Sequence, residues 1–259
     1  MKILFIGDIT GKSGRDIVSS LLYSLNKEYS VDIVIANGEN AAHGKGITIK
    51  IYDKLIHDGV DYITMGNHAY SKSEIKEHLD GMDRIVMPYN HIKRTDDPFF
   101  RIIDFKDIRF CLVNILGEAF MNETSMDPFK AFEKVMNKCD DYEPDFYFVD
   151  LHGESTAEKR VFMEYFKDKV RAVIGTHTHV QTADEAIIDG CAFISDAGMC
   201  GAYDSVIGRD INESITSVIL KEKTRYTIAE GPAIFCGVLI EFDDKLKIPV
   251  SINRIQIRP

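Results

Sequence analysis

His177 and His179 stand two apart, directly after the apolar run Val170-Arg171-Ala172-Val173-Ile174 and the dipeptide Gly175-Thr176. Such a run reads as a buried strand, and imidazole is the commonest side-chain metal ligand. On extended backbone, side chains two apart point to the same side, so the spacing aims both rings at one point. Neutral histidines placed this way suit a transition metal better than calcium or magnesium. A single His-x-His is a modest signal, but the pattern recurs. Apolar runs at residues 3–7, 33–36, 62–66 and 146–151 lead into Asp8, into Asn37-Gly38-Glu39-Asn40, into Asn67-His68 and into His152.

Pooled, these strand ends supply Asp8, Glu39, Asn40, Asn67, His152, His177 and His179. That set exceeds the three or four ligands of one zinc site, and a carboxylate can bridge two cations about 3.5–4 Å apart. The inventory therefore points to two metal ions that activate a bridging water to hydroxide and clamp phosphoryl oxygens, with no side-chain nucleophile. In keeping with this, the chain has no Gly-x-Ser-x-Gly elbow. His68 follows Asn67 directly and so points elsewhere on extended backbone. A histidine beside the metals is suited to protonate a leaving alkoxide.

The elements that must carry these residues alternate at first. Strand and helix succeed one another three times, with a Gly-rich turn expected over residues 9–15 leading into a helix whose apolar positions run from Ile17 to Leu25, and further helices around residues 48–59 and 73–79, which signals a largely parallel sheet. In open α/β sheets ligands bind beyond the carboxyl ends of the strands, where all these residues fall. Residues 99–105 and 108–115 read as a hairpin, and helices are expected over 129–139 and 156–166. The carboxyl third, including residues 214–220 and 226–229, is β-rich and reads as strands. Two mixed sheets packed face to face with helices outside follow from this order.

Gly11-Lys12-Ser13 resembles the end of a Walker A loop, but Ile6 occupies the place of its first glycine, which argues against a nucleotide triphosphatase. The net charge of −10 argues against a broad nucleic-acid or anionic-membrane surface. No apolar stretch approaches the ~18 residues of a membrane span, and the amino terminus reads as a first strand and not a signal peptide. The five cysteines lack any Cys-x-x-Cys, as expected of reduced thiols in a cytoplasmic protein. With no linker or low-complexity segment, residues 1–259 are expected to form one domain.

Gly7-Asp8, Gly38-Glu39-Asn40, Gly66-Asn67-His68, His152 and Gly175-Thr176-His177-Thr178-His179 resemble the ordered motifs of calcineurin-like metallophosphoesterases. The stretches at residues 37–46, 176–184 and 196–199 are similar, more narrowly, to YmdB-type phosphodiesterases. The resemblance implies a four-layer αββα sandwich, a di-iron or di-manganese centre, and hydrolysis of cyclic nucleotide phosphodiesters such as 2′,3′-cyclic AMP; the oxygen and nitrogen ligand set itself also accepts zinc. It implies Asp8, Glu39, Asn40 and His179 around one metal, Asn67, His152, His177 and the shared Glu39 around the other, and His68 as catalytic acid. Phosphate is expected as product or inhibitor, and a homo-oligomer is a further expectation. The sequence departs from the family at Ala69-Tyr70-Ser71, at Gly153, and at Met87, where an arginine is usual and would be expected on the substrate rim. Two other readings are a phosphomonoesterase on the same site and a regulatory, RNA-associated protein with a weakly catalytic metal site.

Overall fold

The computed structural model describes residues 1–94 and 98–259. Among the described residues the elements run β1 (Lys2–Ile6), β2 (Asp8–Ile9), α1 (Gly11–Tyr29), β3 (Ile33–Asn37), α2 (Ile49–His57), β4 (Tyr62–Thr64), α3 (Glu74–His78) and β5 (Ile85–Val86). They continue with β6 (Phe100–Phe105), β7 (Ile108–Leu116), α4 (Pro128–Cys139), β8 (Phe146–His152), α5 (Thr156–Phe166), β9 (Val170–Thr176), β10 (Ala186–Ile188) and β11 (Cys191–Ile194). Last come β12 (Met199–Ala202), α6 (Ile211–Ile219), β13 (Ala233–Asp243) and β14 (Ile248–Ile257).

One sheet has the order β2-β12-β13-β1-β3-β4-β5 with β14 paired to β13, and the other β10-β11-β9-β8-β7-β6. Parallel pairing joins β1, β3, β4 and β5 in the first sheet and β7, β8, β9 and β11 in the second. Both sheets are mixed, because β13 and β6 pair antiparallel to their neighbours.

The layers follow from strand alternation, successive side chains facing opposite ways. Leu4 and Ile6 of β1 pack outward with Val18 and Leu22 of α1, while Ile3 and Phe5 pack inward against the second sheet. In β8, Phe146 and Phe148 turn inward, and Tyr147 and Val149 meet Phe132 of α4 and Phe162 of α5 on the far side. Phe5 and Phe148 stack across the sandwich, ring centroids 6.1 Å apart. Three apolar layers thus separate four layers of structure, helix, sheet, sheet, helix.

Residues 214–220, expected as a strand, form instead the end of α6 and its cap, Leu220. Their β-branched composition favours extension, but Asp210 caps the helix by accepting from the Glu213 N–H at 2.9 Å, and the Ser214 hydroxyl donates to the Asp210 carbonyl. Residues 226–229 contribute only a bridge between Ile228 and Arg209. Among the described residues no helix is long and apolar enough to cross a membrane, and all five cysteines are buried and unpaired.

Candidate metal centre

The residues singled out from sequence come from both sheets. Asp8 opens β2, Glu39 and Asn40 lie in the turn after β3, and Asn67 and His68 in the turn after β4. From the second sheet, His152 ends β8, and His177 and His179 follow β9. Asp8, Glu39, Asn40 and His152 are buried, and Asn67, His68, His177 and His179 are half-buried.

They gather in two groups that share Glu39. In one, the Asn40 amide nitrogen lies 2.7 Å from Glu39 Oε1, 3.5 Å from Asp8 Oδ1 and 3.1 Å from His179 Nε2. In the other, His152 Nε2 lies 3.0 Å from Asn67 Oδ1, 3.1 Å from His177 Nδ1 and 3.3 Å from Glu39 Oε2. The two oxygens of one carboxylate thus face different donor sets. The backbone N–H of His68 donates to Glu39 Oε2 at 3.0 Å, which ties the turn that carries His68 to the second group.

The geometry at His177 and His179 differs from extended backbone. β9 ends at Thr176, and His177 and His179 have φ of 106° and 65°, so both rings are delivered by a left-handed turn and reach different groups. Non-glycine residues hold such angles only where their surroundings over-determine them. Here the His177 N–H donates to Asp8 Oδ2 at 3.1 Å and the Thr178 N–H to Asp196 Oδ2 at 2.9 Å. Lys159 is wholly buried, and its ammonium donates to the Thr176 and Ser195 carbonyls, each at 2.8 Å, and to Asp196 Oδ2 at 3.2 Å. The chain has put a buried cation under the turn.

Each imidazole has its second nitrogen held from outside. His152 Nδ1 lies 2.9 Å from Thr176 Oγ1, His179 Nδ1 lies 2.8 Å from the Ile207 carbonyl, and His177 Nε2 lies 3.4 Å from Glu154 Oε2. Such partners orient a ring so that its other nitrogen faces a metal. Burial disfavours charge throughout the site, and pairing opposes it. Burial alone would raise Glu39 and lower His152, but each one's charge favours the other's: Glu39 is held well below the usual carboxylate range and His152 is raised to about 9. Burial lifts Asp8 to about 6 against the pull of His179 and His152. Burial and the neighbouring His152 depress His177 to about 3. His68 is lowered, chiefly by burial, with Glu39 opposing.

This donor set fits a transition metal. Glu39, His152 and His177 each offer a ligand atom, all within 4.8 Å of one another. Gly66 leaves the space open, since a Cβ there would stand 2.5 Å from His152 Nε2. Asn40 presents its nitrogen, and a half-turn of the amide brings its oxygen to the same place.

Several contributors carried no sequence signal. Ile207 acts through its carbonyl, and Lys159 and Glu158, two charged residues of α5, are turned to structural use. Glu158 accepts from the N–H groups of Glu118 and Ala119 at 3.0–3.3 Å. His91 is buried, with Nε2 3.1 Å from the Asn67 carbonyl. Met87, where the family resemblance leads one to expect an arginine, is a core residue. Lys12 of the Walker-like corner is exposed and pairs with Asp16 at 2.5 Å.

Comparison with known proteins gives the family of the chain. A model of the YmdB-like protein family matches residues 4–255. The chain is 40% identical over 258 residues to the 2′,3′-cyclic-nucleotide 2′-phosphodiesterase of Bacillus subtilis (strain 168), covering 99% of this chain and 97% of that one. A crystal structure from Mycoplasma pneumoniae, described as a novel phosphatase, superimposes with a TM-score of 0.91 at 33% identity, covering 100% of this chain and 93% of that one. A hypothetical protein from Thermus thermophilus superimposes with a TM-score of 0.92 at 32% identity over 100% of both chains. The chain therefore belongs to the YmdB-like family of metallophosphoesterase-type hydrolases.

Proposed function

We propose that this chain is a dinuclear-metal phosphodiesterase acting on cyclic nucleotide phosphodiesters of the 2′,3′-cyclic AMP kind, with residues 1–259 as one catalytic domain. The observation that carries the reading is Glu39, whose two oxygens face two separate donor sets, as a bridging carboxylate requires. Asp8, Glu39, Asn40 and His179 would hold one ion, and Asn67, His152, His177 and Glu39 the other. Iron or manganese suits this mixed oxygen and nitrogen set, and zinc is accommodated by the same ligands. When bound, two such ions supply positive charge for the phosphoryl oxygens and make an attacking water more acidic.

The remaining chemistry belongs to the chain. As the water oxygen joins phosphorus, one ester P–O bond breaks and its oxygen must gain a proton. His68 stands beside the donor sets without a place in either, which suits it to donate that proton. Burial keeps its proton affinity low in the free protein, and an anionic phosphodiester raises it on entry. The buried flank of the site keeps bulk water from competing for the same oxygens.

The five unpaired thiols fit a reducing compartment, and we place the protein in the cytoplasm. The Mycoplasma pneumoniae relative, described as a phosphatase, favours a monoester reading as the second one. Hydrolysis of bis-p-nitrophenyl phosphate and of p-nitrophenyl phosphate by manganese-reconstituted protein and its Asp8→Ala variant separates the two. Diester turnover lost in the variant supports the proposal, monoester turnover alone supports the second reading, and no turnover of either with two ions bound refutes both.

A further inference from the structure

Three imidazoles face the site, but their outer partners are not equivalent. The Ile207 carbonyl can only accept, so it fixes a proton on His179 Nδ1, and the Glu154 carboxylate 3.4 Å from His177 Nε2 is likewise an acceptor alone. The partner of His152 is a hydroxyl, which donates or accepts equally well. Left to itself, Thr176 would allow the His152 proton on either nitrogen; in the metal-free chain Asn67 Oδ1 at 3.0 Å and Glu39 Oε2 at 3.3 Å draw it toward Nε2, and a proton there leaves no lone pair for an ion.

The next residue in the chain of contacts removes this freedom. Thr176 Oγ1 lies 2.6 Å from Asp150 Oδ1, and Asp150, fully buried, accepts there, so the hydroxyl proton is committed to the carboxylate. The hydroxyl oxygen is then available only to accept from His152 Nδ1. Asp150 Oδ2 is fixed in turn by the Asn37 amide nitrogen at 2.9 Å. Asn37 cannot turn over, because its nitrogen also donates to the Met65 carbonyl at 3.1 Å and its oxygen accepts from the Glu39 N–H at 3.1 Å. The polarity of the whole line runs one way.

We infer that Asn37, Asp150 and Thr176 form a polarity lock that holds the His152 proton on Nδ1 and leaves Nε2 free for a metal ion. They are positioning residues, acting through His152, and the inference rests on the metal reading above. The lock also explains a bond that crosses the sandwich, since Asn37 ends β3 of the first sheet and Asp150 lies in β8 of the second.

The lock makes an unusual prediction for Asp150→Asn. The new amide oxygen must face the fixed Asn37 donor, which turns its NH2 toward Thr176. The hydroxyl then accepts from the amide and donates to His152 Nδ1, and the His152 proton moves to Nε2. The side chain keeps its shape while the line reverses.

The test measures Mn²⁺ affinity, histidine ring ¹⁵N spectra of the metal-free protein under conditions where the imidazole is neutral, and thermal unfolding, in wild type, Asp150→Asn, Thr176→Val and Thr176→Ser. Asp150→Asn and Thr176→Val are expected to weaken Mn²⁺ binding about 10–100-fold, the usual effect of removing an outer partner of a ligand. Thr176→Ser restores the hydroxyl and is expected to stay within about threefold of wild type, which a merely structural role for Thr176 would not require. In the ring spectra the His152 proton sits on Nδ1 in wild type and on Nε2 in Asp150→Asn. Wild-type affinity in Thr176→Val, or a proton still on Nδ1 in Asp150→Asn, overturns the lock. Should Asp150→Asn not fold, the Thr176→Val and Thr176→Ser pair decides. Failure of wild type to bind Mn²⁺ sinks the metal reading, while the wild-type ring spectrum, with the proton on Nδ1 or on Nε2, still upholds or overturns the lock.

Discussion

Gly66→Ala is the most local way to damage this site without touching a ligand. The added methyl carbon would stand 2.5 Å from His152 Nε2, 2.6 Å from its Cδ2, and closer still to Glu39 Oε2. Non-bonded carbon contacts relax at about 3.5 Å, so these atoms must separate by about 1 Å. Neither side chain has room to retreat, because His152 is fixed by Thr176 and Glu39 is buried beneath the His68 N–H. Overpacking of this kind costs about 1–3 kcal/mol of stability. Misplacement of reacting groups by about 1 Å costs about 100-fold in rate. The assay is diester turnover with metal content per chain and unfolding of the metal-free protein, with Gly81→Ala as control, since a Cβ at Gly81 meets nothing within 4 Å. A Gly66→Ala protein that keeps two ions and turns over within about threefold of wild type would refute the assignment of Glu39 and His152 to one shared point.

Lys159→Met leaves the Asp196 carboxylate buried without its cation and should cost about 3–5 kcal/mol in urea unfolding; a loss below about 1 kcal/mol would mean the pair does not support the turn. His68→Ala should lower diester kcat by about 10²–10⁴-fold with both ions retained, and an unchanged kcat would remove it from the proton-transfer role. Metal affinity should rise with pH. His152 at about 9 in the metal-free chain lies above its ordinary value, so its pairing stabilises the fold fully below the unfolded value and this stability is lost as pH rises through about 9. An ion competes with that proton, and apparent affinity should climb by up to about tenfold per pH unit toward about 9 and then level. A flat titration between pH 7 and 9 would contradict the His152 assignment.

The parallel strands and their ligand-bearing ends could be read from sequence because burial on both faces forces near-continuous apolar runs, which stop where the chain turns. α1, α4 and α5 were visible for a similar reason, through helical spacing of Val18, Leu22 and Leu25 and of their counterparts. The short strands β5, β10 and β12 have two to four residues and no period to detect. At α6, β-branched composition pointed one way and the Asp210 cap the other, and local hydrogen bonding won. The site residues were legible as a list of ligand types, but not the turn that delivers them. Residue type does not show that φ at His177 is 106°, and a carbonyl such as that of Ile207 looks the same at every position. Asp150 and Thr176 lay in plain view within two strands, and their role depends on a contact across 26 residues of sequence.

The division of ligands between two sheets bears on when the site comes into being. Every oxygen and amide donor precedes residue 68, whereas the third imidazole arrives at His179, the carbonyl that steadies it at Ile207, and the strand that joins β12 to β1 only at Ala233. A chain still being synthesised carries carboxylates and amides, which hold magnesium loosely and transition metals poorly. On the proposed ligand assignment, ion capture would wait until residues as far as Ala233 had joined the fold, and the bound ion would pin one sheet of the sandwich to the other. Metal would then be committed to chains in which both sheets had formed and withheld from shorter fragments.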